Sequence, residues 1–126
     1  MTITPTLAVT PAIRAMLDPA VKAGGHDWSE LEARLSEGRA CLWLAGDSGC
    51  VLTQVDAEDV CDVALGGGRD AHSWVGAMEA AIRAHPAHAE VQRYRIWGRG
   101  GWRRLFPHWR FVGVEDGLAV LESDAS

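Results

Sequence analysis

Apolar positions along this chain change their period several times, and each change predicts a boundary between elements. Ile13, Met16 and Leu17 share one face at helical spacing. Thr10-Pro11 ahead of them reads as a helix start, a hydroxyl N-cap followed by proline at the first helical position. Pro19 is expected to interrupt or kink this helix, and Gly24-Gly25 to end it. A second helix opens at Asp27, where Asp27-x-x-Glu30 resembles a capping box; Trp28, Leu31 and Leu35 form its stripe. From Ala40 the pattern is that of strands. Ala40–Ala45, Cys50–Val55 and Val60–Leu65 are joined by Gly46-Asp47-Ser48-Gly49 and by an acidic turn at Asp56, Glu58 and Asp59, which gives an antiparallel meander.

Gly66-Gly67-Gly68 is expected to break the third of these strands, with a helix from about Asp70 to Ala84 behind it. Its stripe is Ala71, Trp74, Val75, Met78, Ala81 and Ile82, and Pro86 stops it. Glu90–Trp97 returns to strand spacing. Gly98–Gly101 is a glycine-rich joint before a short helix through Trp102 and Leu105, limited by Pro107. Phe111–Val114 and Leu118–Glu122 form a terminal hairpin around Glu115-Asp116-Gly117. The predicted class is α/β (α+β), a mixed and mostly antiparallel sheet with helices on both faces, in the order α-α-β-β-β-α-β-α-β-β. One domain spans residues 1–126, with residues 1–9 as an extended or disordered arm and 123–126 as a tail.

Composition changes the picture in three places. Six Trp in 126 residues is unusual, and such rings fill cores or stand at interfaces. The three cysteines, Cys41, Cys50 and Cys61, lack zinc or disulfide spacing and read as small apolar residues in strands. The net charge of −5 is uneven: Val91–Arg110 holds six Arg and no acid, which leaves about −11 on the remainder. No apolar run approaches the ~18 residues of a membrane span, and Met1–Val9 has no secretory pattern. A reducing, cytoplasmic setting without a membrane partner is the expectation.

The element order and two segments carry a family resemblance. Trp102-Arg103-Arg104-Leu105-Phe106-Pro107-His108-Trp109-Arg110-Phe111 resembles the helix-to-hairpin stretch near the C-termini of GNAT (GCN5-related N-acetyltransferase) proteins. Gly98-Arg99-Gly100-Gly101-Trp102 is similar to one branch of them, the small GNAT-like proteins encoded in tailed-phage morphogenesis regions, including an internal virion protein. The likeness covers roughly Ala40 to Glu122. It implies a GNAT fold, one first strand of which is too weak to read here, and a phage or prophage origin with a place in or on a virion.

For an active GNAT enzyme the resemblance implies acetyl-CoA as cofactor, bound through its pyrophosphate where a helix follows the third meander strand. Gly66, Gly67, Gly68 and Arg69 would form that cradle, and Asp62 would be the base that takes the amine's proton. The family pattern Q/R-x-x-G-x-G/A, read from Arg69, has His72 and Trp74 at its glycine positions, and Phe106 stands where a proton-donating Tyr is usual. The expected function is therefore a GNAT-like binding or structural protein with a degenerate cofactor site and no bound cofactor. An acyl-CoA N-acyltransferase is the alternative.

The Arg/Trp segment supplies the expected partner surface. Arg99, Trp102, Arg103 and Arg104 are candidates for docking onto another virion protein or another copy, since Arg and Trp are favoured anchors at interfaces. The same segment, residues 93–110, would serve a small nucleic-acid binder, its arginines tracking phosphates and its indoles stacking bases.

Overall fold

The computed structural model describes residues 2–99 and 101–125. Among them one seven-stranded sheet is formed in the order β1-β2-β3-β4-β5-β7-β6. The strands are β1 (Ile3–Thr6), β2 (Ala40–Ala45), β3 (Gly49–Val55), β4 (Val60–Gly68), β5 (Arg93–Gly98), β6 (Arg110–Glu115) and β7 (Leu118–Asp124). Helices α1 (Pro11–Ala23) and α2 (Trp28–Ser36) cover one face; α3 (Val75–Ala84) and the single turn α4 (Trp102–Leu105) cover the other.

The first expectation to be corrected is the N-terminal arm. Ile3–Thr6 adds to the sheet as β1, antiparallel to β2 with Ile3 opposite Ala45 and Thr6 opposite Leu42. Pro5 removes a backbone donor, which an edge strand tolerates. The tail is likewise shorter than expected: β7 runs through Asp124, and Ser126 lies outside the described residues.

Helix α1 starts as predicted, the Thr10 hydroxyl accepting from the backbone N–H of Ile13 at 3.2 Å. It runs uninterrupted through Pro19. Pro19 is exposed, so the carbonyl of Ala15 that it leaves without a helical donor lies towards water, while Ile13, Leu17 and Val21 stay buried on the opposite side. In α2, Asp27 caps by accepting from the N–H of Ser29. Glu30 does not close the box; it pairs with Arg34 one turn on.

Two cores result. Ile13, Leu17, Leu31 and Leu35 meet Leu42, Cys50, Leu52 and Leu65 under α1 and α2. Trp43, Val51, Cys61, Val63, Met78, Tyr94, Ile96 and Leu121 pack under α3. Cys50 and Cys61 are buried strand residues, and burial pushes both thiols up to about 12; Cys41 is only half-buried. All three are free.

The glycine run is the largest correction. Gly66, Gly67 and Gly68 do not break β4 but extend it, paired with Val51, Cys50 and Gly49 of β3. The following helix begins only at Val75, after Asp70 in a left-handed conformation and a single 3-10 turn over Ala71–Ser73. The glycines are required by close approach: a Cβ on Gly67 would collide with the carbonyl oxygen of Met16 in α1, and one on Gly68 with that of Ser48. Gly67→Ala should therefore cost about 1–3 kcal/mol by overpacking. Gly76→Ala, where a Cβ meets nothing within 4 Å, should instead add about 0.5 kcal/mol; urea unfolding of the two variants measures both.

Candidate functional site

The sheet contains one parallel junction, and it is short. β4 and β5 pair only from Val60 opposite Arg93 to Val63 opposite Ile96. A register shift places Leu52 opposite Leu65 but Thr53 opposite Val63, which leaves Ala64 as an extra residue in β4. Such a bulge bends the strand that carries it. Beyond it, β4 continues along β3 to Gly68, whereas β5 continues along β7 to Gly98 opposite Ala119. The two strands part, and a gap opens between Gly66 and Gly98.

Trp102 fills that gap. A Cβ on Gly66 would stand 2.6 Å from its indole ring, and one on Gly98 would stand 2.7 Å away. Its ring stacks on Phe106 with centroids 6.0 Å apart and planes 9° apart, and Phe106 meets Trp109 edge-on at 5.4 Å. Trp109 donates its indole N–H to Glu79 of α3 at 3.0 Å, and Glu79 pairs with Arg83. Arg83 lies over the rings of Tyr94 and Trp109 and donates to the Ser123 hydroxyl at 2.6 Å. Trp74 is buried at the head of α3, its indole N–H donating to the carbonyl of Arg69 at 2.9 Å. Behind these rings remains an apolar cavity of about 20 Å³ bounded by Val51, Trp74, Met78, Phe106 and Trp109. That is room for one water, against the several hundred Å³ of an ordinary ligand pocket.

Asp62 lies on the opposite face of the junction. It accepts from the indole N–H of Trp97 at 3.2 Å, and Arg95 stands 3.8 Å away. It borders an opening of about 250 Å³ with His26, Glu115 and Asp116. Burial holds its carboxyl above the usual aspartate range, and the hydrogen bond from Trp97 and the charge of Arg95 only partly counter it. A carboxylate so placed can accept a proton. Trp102, which borders spaces on both faces, partitions Asp62 from the closed cavity.

Gly66, Gly67 and Gly68 lie in a strand and give the space of their missing side chains to Trp102, α1 and Ser48. With Arg69, Ser48 and Arg99 they still border an opening of about 470 Å³. Arg69 is exposed, with its N–H given to the carbonyl of Ser48. Of the partner residues, Arg99, Arg103 and Arg104 are exposed, and Arg103 lies over Phe111 at 3.9 Å, but Trp102 is withdrawn into the gap. Gly100 lies outside the described residues.

The indoles of Trp97 and Trp109 are committed to Asp62 and Glu79. Arg93, Arg95 and Arg110 converge on Glu122 at 3.7, 3.1 and 3.8 Å. Both groups are thus drawn away from a base-stacking platform. Sequence reasoning missed Glu79 and Arg83, which tie α3 to Trp109 and β7. Their i,i+4 spacing was the available signal. Among the described residues, no group of three or more His, Cys, Asp or Glu is arranged to hold a metal ion.

No family model matches the sequence, and no curated protein matches it. Solved structures do. The chain is similar to a GNAT family acetyltransferase from Elizabethkingia anophelis with acetyl-CoA bound (TM-score 0.64, 14% identity, 98% of this chain and 97% of that one). It is similar to an IAA acetyltransferase from Bacillus cereus (0.63, 8%, 98% and 99%). It is also similar to an acetyltransferase from Bacillus subtilis in complex with CoA (0.61, 12%, 97% of each chain). At these identities the likeness is one of fold. The chain has the GNAT fold, β1 supplying the first strand that the sequence left unread.

The raised carboxyl makes a measurable demand. The folded state favours protonated Asp62, so the stability tied to this group is present below the unfolded aspartate pKa of about 3.9 and is lost as pH rises through the folded value. By NMR titration Asp62 should have its midpoint above 3.8. Trp97→Phe, which removes a donor that steadies the charged form, should move that midpoint further up. A downward movement would contradict the assignment.

Proposed function

We propose that this chain is a GNAT-fold binding module whose acyl-CoA cleft is closed by its own aromatic side chains, and that it acts by holding partners rather than by transferring an acyl group. The observation that carries this reading is Trp102 seated between Gly66 and Gly98, with Phe106 and Trp109 stacked behind it. Emptying the cleft would mean pulling a large indole out of packed surroundings, a cost of about 3–5 kcal/mol on the scale of aromatic truncations. Trp74 at the helix start and Phe106 in place of a proton donor support the same reading. The likeness of Gly98-Arg99-Gly100-Gly101-Trp102 to small phage-encoded GNAT-like proteins supports a place in virion assembly, with other virion proteins as partners.

The alternative is an acyl-CoA N-acyltransferase. It is favoured by Asp62, a carboxylate held above its usual range at an opening of about 250 Å³, and by the acetyl-CoA and CoA complexes among the structural neighbours. That reading requires Trp102 to leave the gap and a group other than Phe106 to supply a proton to the departing thiolate.

Calorimetry separates the two. The wild-type chain should give no binding isotherm with acetyl-CoA up to millimolar ligand. Micromolar binding would overturn the closed-cleft reading and put the acyltransferase first.

A further inference from the structure

β6 is the outer strand of the sheet, and its apolar side chains stay largely exposed, only Phe111 being partly covered, by the Arg103 guanidinium. Phe111, Val112 and Val114 are 41%, 57% and 64% exposed, three of the five large apolar residues so exposed among the described residues. Proteins blunt such an edge with Lys, Pro, other charges or a bulge. The strand Arg-Phe-Val-Gly-Val-Glu has no Lys or Pro, and its charges and bulge are arranged so that they suit a second copy. It carries an arginine at one end, a glutamate at the other and a bulge between them.

The bulge decides which side chains share a face. Arg110 and Glu115 are five residues apart, so in a regular strand they would point to opposite faces. Here Val112 is an extra residue between Phe111 and Gly113. Arg110 lies opposite Glu122 and Glu115 opposite Leu118, two β7 residues four apart and therefore on one face. Phe111 and Val114 lie opposite Leu121 and Ala119, which share the other face. The strand thus reads the same chemically from either end. One face has Arg110 and Glu115, and the other has Phe111 and Val114. An antiparallel neighbour with this sequence would put Arg110 against glutamate, Glu115 against arginine, and Phe111 and Val114 against each other's counterparts. All of these are favourable cross-strand pairs.

We propose that β6 is a self-association edge. Two copies pair β6 to β6 antiparallel across a twofold axis at the Val112–Gly113 bulge, each sheet continuing into the other. The interface is isologous, as a closed dimer requires. Glu115 makes no ion pair within its own chain among the described residues, and Arg110 holds Glu122 and Asp124 only at 3.8 and 3.6 Å, beyond hydrogen-bond length. Both are available to the second copy. The interface is small, so its dissociation constant should be on the order of micromolar.

Sedimentation velocity of the full chain between about 5 and 200 μM tests the proposal. A species of twice the 13.6 kDa chain mass should grow with concentration. Glu115→Arg, which sets arginine against arginine, and Val114→Lys should each raise the dissociation constant at least tenfold with unchanged circular dichroism. Leu7→Lys, at an exposed apolar residue away from this edge, should leave it unchanged. A monomer at every concentration would overturn the proposal. So would a dimer indifferent to both β6 changes, because another surface would then be the interface.

Discussion

The structure depends on filling a split in its own sheet. The bulge at Ala64 turns β4 away from β5 after four paired residues, and a sheet opened in this way must either bind something or be packed from within. This chain packs it. Trp102 enters the gap because Gly66 and Gly98 present no side chains there, and Phe106 and Trp109 complete the layer against α3. The glycines, the aromatic residues and the one-turn helix that carries Trp102 are a single solution to one steric problem. Changing any of them alone leaves either a collision or a void.

The periodic parts of this fold were legible in the sequence. Thr10-Pro11, the stripe Ile13–Leu17, the alternating strands of the meander and Pro86 each act within a few residues, so local chemistry determines them. The failures share a physical cause. β1 has one partly buried apolar residue, Ile3, and a proline, so its strand character comes from the β2 edge that it pairs with. Pro19 reads as a break, yet the buried side of α1 holds the helix through it. The glycine run reads as a turn because glycine permits turns. Here it permits close approach, and the partners that approach, Met16 and Trp102, lie about fifty and thirty-five residues away in the chain.

The candidate site was legible only as a list of residue types. Asp62 was legible from its strand, and it does sit where burial raises its carboxyl above the usual aspartate range. The cradle expected from Gly66–Arg69 as a strand-to-helix turn is instead an extended strand end that borders an opening of about 470 Å³. The arginine-rich segment read as one basic surface divides by element: Arg93, Arg95 and Arg110, on strands β5 and β6, converge on Glu122, while Arg99, Arg103 and Arg104, on the joint and α4, face solvent. A charge count along the sequence cannot separate the two groups, because the acid that gathers the first three belongs to the last strand.

The single parallel joint also bears on how the molecule assembles. Strands β2 to β4 are linked by tight turns and can zip together locally, whereas β5 joins them in parallel through the crossover that carries α3 and takes β7 as its other, antiparallel neighbour. Contacts across the joint close a loop of about thirty residues, whereas the meander strands need only tight turns. The β2–β4 meander is therefore placed to form early, with β1, α1 and the C-terminal strands closing on it through longer loops. The indole wedge arrives at the end of that sequence and acts as the latch that joins two halves into one cooperative unit.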